Sequence, residues 1–95
     1  MEAEESIFIT EIKEGIYFKN EKSHVIGVIR NVTESYGVLV ETLRNCGGGA
    51  ILHEQFFKSP TSEYFKNCRR IYNTAMVEQS FEYFASLLYR IEDLK

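Results

Sequence analysis

The chain has 95 residues, 44% of them apolar and 14% aromatic, and a net charge of −3. That length supports one hydrophobic core, and the apolar content excludes a disordered tail. The acidic balance disfavours direct nucleic-acid binding driven by phosphates.

No apolar run approaches the ~18 residues of a membrane helix. The acidic start, Met1 to Glu5, lacks the basic and apolar regions of an export signal. Cys46 and Cys68 are too few for a disulfide framework. Both read as reduced thiols of an intracellular protein, nuclear or cytoplasmic, with no membrane association.

Residues 1–5 read as a frayed acidic end, and 6–95 as one domain. Ser6 to Ile12 is β-branched and aromatic and predicts a strand, with its apolar run at 7–9. Ile16-Tyr17-Phe18 is a second short run after the turn signal Lys13-Glu14-Gly15. His24 to Ile29 is almost continuously apolar, as a strand buried on both faces would be.

Tyr36, Leu39, Val40 and Leu43 fall at i, i+3, i+4 and i+7, which predicts a helix over 35–46 capped by Thr33 or Ser35. Gly37 is costly inside such a helix and implies a close neighbour. Gly47-Gly48-Gly49 is then a structural turn that stops it. A phosphate-cradling loop is excluded, because the glycines follow a helix and no Lys-Ser/Thr comes after them.

Ala50-Ile51-Leu52 predicts a strand, Pro60 opens a short helix over 61–68, and Ile71-Tyr72 reads as a short strand. Asn73 or Thr74 caps a final helix over 74–93, whose stripe is Val77, Phe81, Phe84, Leu88 and Ile91. Leu39, Leu43, Phe81, Phe84 and Leu88 are the expected core residues. The predicted architecture is α+β or α/β: a small sheet of three or four strands packed by two long helices and one short one.

His24, His53, Cys46 and Cys68 lack the paired spacing of a metal module, so no metal or cofactor is expected. Cys68 stands beside Arg69 and Arg70, which would favour its thiolate, but no base partner is identifiable. The chain therefore reads as non-catalytic. Lys66, Arg69 and Arg70 form a modest basic patch suited to an anionic partner group.

Three segments resemble the BRCT domain, an interaction module of DNA-damage and cell-cycle complexes. Ile12 to Phe18 is similar to the family's opening strand. Leu39 to Leu52 resembles its first helix, Gly-Gly turn and second strand. Ile71 to Phe81 resembles the entry to its last helix, with Ser80 matching and Met76 where the family has Trp. The resemblance implies a protein-interaction module, with Lys66 as counterpart of the Lys that holds a phosphopeptide. The Ser/Thr-Gly of that phosphate pocket does not follow Phe18. The other reading is a small inhibitor or accessory subunit that binds one partner through a sheet edge or the C-terminal helix. A homodimer is left open.

Overall fold

In the computed structural model, residues 11–48 and 50–83 are described. They form one five-stranded antiparallel sheet: β1 (Tyr17–Asn20), β2 (Val25–Thr33), β3 (Gly37–Gly47), β4 (Ala50–Lys58) and β5 (Cys68–Arg70). The spatial order is β4-β3-β2-β1-β5, so the first four strands are a meander and β5 crosses to pair with β1. A 3₁₀-helix, Glu63–Asn67, precedes β5. Residues 75–83 are helical and are called α1.

This corrects the mixed fold expected from the sequence. Among the described residues there are five strands rather than three or four, and no pair of long helices packs them. The segment 35–46 is not a helix: residues 37–47 are β3, the longest strand. Val38, Val40 and Thr42 are buried on one face of the sheet, and Glu41 is buried on the other. Both faces of β3 are covered, so its apolar residues run together and mimic helical spacing.

Leu39 to Leu52, the longest segment of the BRCT resemblance, lies within the β3–β4 hairpin. The strands expected at 24–29 and 50–52 lie within β2 and β4. The short helix expected over 61–68 is the five-residue 3₁₀-helix, and the strand expected at 71–72 lies earlier, as β5. The strand expected at 7–9 falls outside the described residues, as do Phe84, Leu88 and the end of the predicted last helix.

The main core lies on one face of the sheet, between Ile16, Phe18, Ile29, Val38, Val40, Phe65 and Cys68. Phe65 reaches it from the 3₁₀-helix. Asn20, 1% exposed, ties this end of the fold together. Its Oδ1 accepts from the backbone N–H groups of Lys22 and Ser23 in the β1–β2 turn. Its Nδ2 donates to the Tyr64 carbonyl at 3.0 Å and to Cys68 Sγ at 3.5 Å. One buried amide thereby joins the turn, the 3₁₀-helix and β5 with its polar atoms satisfied.

The turn expected at Gly47-Gly48-Gly49 exists, but it joins two strands. Gly47 and Gly48 have φ of +87° and +60°, left-handed values that suit a tight hairpin. Gly37 begins β3 with φ +89°, and a Cβ there would lie 2.6 Å from the Lys58 carbonyl oxygen. The close neighbour implied by Gly37 is thus the backbone of β4. Gly37→Ala should cost roughly 1–3 kcal/mol, since it adds backbone strain and a clash. Urea denaturation measures this; a midpoint equal to that of the parent chain would contradict it.

Candidate functional site

The opposite face of the sheet carries a cluster of charge. Glu41 of β3 is 3% exposed. Its Oε1 accepts from Arg30 Nε of β2, and its Oε2 accepts from His53 Nε2 of β4. The register explains why these residues meet. Arg30 is the extra residue at the shift between Ile29 and Asn31, which turns its side chain toward Glu41. His53 stands opposite Leu43, one diagonal step from Glu41.

A buried carboxylate between two nitrogen donors is satisfied rather than reactive. The Arg30 guanidinium also lies 5.6 Å from the ring centroid of Phe81, and Phe81 contacts Tyr17 at 5.9 Å. Phe81 is fully buried, so it fixes α1 over this face. Thr74 stands at the start of α1, as its predicted capping role requires: its carbonyl accepts from Glu78 N–H at 2.8 Å.

Beside α1 is an apolar groove of about 320 Å³. Ile26, Leu43 and Ile51 line it from the sheet and Met76 and Val77 line it from the helix; Arg44 borders it through the β3 backbone, and its charge acts on Tyr64 at the other face. Beyond Leu43, β3 has no paired residue in β2, so the β3–β4 hairpin projects past the sheet and forms one side of the groove. Much of this lining is open: Ile26, Ile51 and Met76 are 38%, 42% and 80% exposed. Sequence reasoning missed the groove because its two sides meet only through strand register and the docking of α1. The available signal was Met76, an apolar residue off the helix's buried stripe.

Lys66, Arg69 and Arg70 lie close in sequence but are not aimed at one point. Arg69 and Arg70 pair opposite Lys19 and Phe18, so they leave β5 on opposite faces. Arg69 Nε is 3.1 Å from Glu21, Arg70 lies 5.0 Å over the Tyr72 ring, and Lys66 Nζ is 4.0 Å from Glu63.

The thiols differ sharply. Cys46 is exposed and Cys68 is buried. Burial pushes the Cys68 thiol up to about 12, partly offset by the Asn20 hydrogen bond. The neighbouring arginines therefore do not activate it. Burial also raises the Tyr64 phenol.

Two results follow. A thiol reagent should modify Cys46 at once and Cys68 only on unfolding; comparable rates in the native protein would contradict the buried position. Stability should also fall as pH rises from about 9 toward 12. The unfolded thiol ionises near its ordinary value of 9.0, whereas the folded state keeps it neutral to about 12. Thermal melts across that range would show the decline, and Cys68→Ala should make it shallower, leaving the part that the buried Tyr64 phenol contributes. Unchanged slopes would refute the coupling.

Comparison with family models, curated proteins and solved structures found no match.

Proposed function

We propose that this chain is a non-catalytic protein-interaction module that engages another protein through the groove between the β3–β4 hairpin and α1. The observation that carries the reading is the group of exposed apolar side chains Ile26, Ile51 and Met76 around one concavity. A rimmed apolar surface of this kind suits an anchor side chain of a partner.

The fitting ligand is a peptide segment with a large aliphatic or aromatic anchor. The dispersed directions of Lys66, Arg69 and Arg70 favour binding that does not require phosphate.

Selection from a displayed peptide library tests the proposal. Enriched peptides should share a large aliphatic or aromatic residue. Met76→Glu should weaken them about tenfold or more, the scale of a lost hot-spot contact. Met76 is 80% exposed, so this change leaves the fold intact. Absence of enrichment, or equal affinity for the variant, overturns the groove. Phosphorylated peptides whose binding needs Lys66 would move the interface to the 3₁₀-helix.

A further inference from the structure

We infer that β4 is also a self-association edge, at which a second copy of the chain adds its own β4 antiparallel and continues the sheet across a two-fold axis. This goes beyond the groove and does not depend on it.

β4 ends the strand order, and no described strand pairs with its outer side. It is nine residues long, contains no proline, and keeps an unbroken register with β3 over Ile51 to Lys58. Proteins normally blunt such an edge with bulges, proline or charge, because its free N–H and C=O groups template another strand. Apart from His53, which is engaged with Glu41, the charged residues of β4 are Glu54, midway along, and the terminal Lys58.

The sequence of β4 identifies the occupant. Two-fold pairing requires opposite residues to share a sheet face, hence an even sum of their numbers. Centring the pair on Glu54 places Ile51 opposite the second copy's Phe57 and Leu52 opposite its Phe56. His53 faces Gln55, and Ala50 faces Lys58. Ile51, Leu52 and Phe57 are 42%, 43% and 49% exposed in the single chain, and this register covers them on both faces. Moving the centre to Gln55 would instead oppose Leu52 to Lys58 and Glu54 to Phe56. The hydropathy of β4 is thus close to its own mirror image about Glu54.

Glu54 meets its own copy on the axis. Like charges directly opposite one another are destabilising, so this residue limits the affinity. A single added strand also falls short of the ~800 Å² per partner of a standard interface. The dimer is therefore weak and concentration-dependent in the parent chain.

Sedimentation of the full chain over a wide concentration series tests this. Glu54→Gln should tighten self-association about fivefold, the equivalent of removing ~1 kcal/mol of cross-strand repulsion. An equimolar mixture of the parent and Glu54→Lys chains should form the mixed dimer in preference to either homodimer. Amide exchange in the associated form should slow along 50–58. Met76→Glu should weaken peptide capture at the groove and leave self-association unchanged, which separates the two interfaces. A strictly monomeric Glu54→Gln chain, no preference in the mixture, or protection outside β4 would each overturn the assignment.

Discussion

Phe18→Ala is expected to lower the unfolding free energy by roughly 3–5 kcal/mol, the range for deleting a buried aromatic side chain. Phe18 is fully buried on β1, and its ring meets Tyr64 edge-on at 6.1 Å. It also lies directly over Gly27 of β2: a Cβ on Gly27 would overlap the ring. The aromatic therefore fills the space that the glycine leaves in the neighbouring strand. Small domains hold only ~5–15 kcal/mol in total, so the variant should be near its unfolding midpoint at modest urea. A loss below about 1 kcal/mol would show that this face of the sheet is not the core.

Glu41→Ala is expected to cost about 3 kcal/mol, the lower end for breaking a buried ion pair. The removed carboxylate takes from His53, 15% exposed in its side chain, the acceptor that Glu41 supplies. Arg30 is 38% exposed and recovers some hydration, which moderates the loss. Arg30 stacks on Phe81 as well, so the cost should extend to α1. Limited proteolysis should cut Glu41→Ala within α1 sooner than the parent chain. Replacing Arg30, Glu41 and His53 together by apolar residues of similar size should restore much of the stability, since the cluster offsets its own desolvation. If Glu41→Ala melts like the parent chain, the three groups do not interact.

Local chemistry was legible where it acts alone. The β-branched run at Val25 to Ile29, the glycine turn after Cys46 and the start of α1 follow from propensity, backbone freedom and capping. β3 was not legible from helical spacing, because covered faces on both sides erase the alternation that identifies a strand. The better signal was the turn itself: glycines between two apolar runs of similar length mark a hairpin. Gly37 pointed the same way, since its cost in a helix disappears at a strand start that demands positive φ. The Arg30–Glu41–His53 cluster and the groove could not be read at all. Glu41 lies 11 and 12 positions from Arg30 and His53, and the groove sets the β3–β4 hairpin against α1, so only strand register and helix docking bring either together.

The crossing of β5 to the far side of the sheet separates the fold into fast and slow parts. Each pairing within the meander joins neighbouring segments of the chain and closes a short loop, whereas Phe18 meets Arg70 only after a long one. Long-range closure costs more entropy before any contact rewards it. The four-strand meander should therefore assemble first, with β1 as a temporary open edge. During synthesis that edge waits for residues 68–70 to be made, and a chaperone or a neighbouring chain has that interval in which to reach it. The Cys68 thiol, shielded only once β5 docks, times the event: pulse labelling during refolding should show its protection lagging behind the recovery of sheet signal.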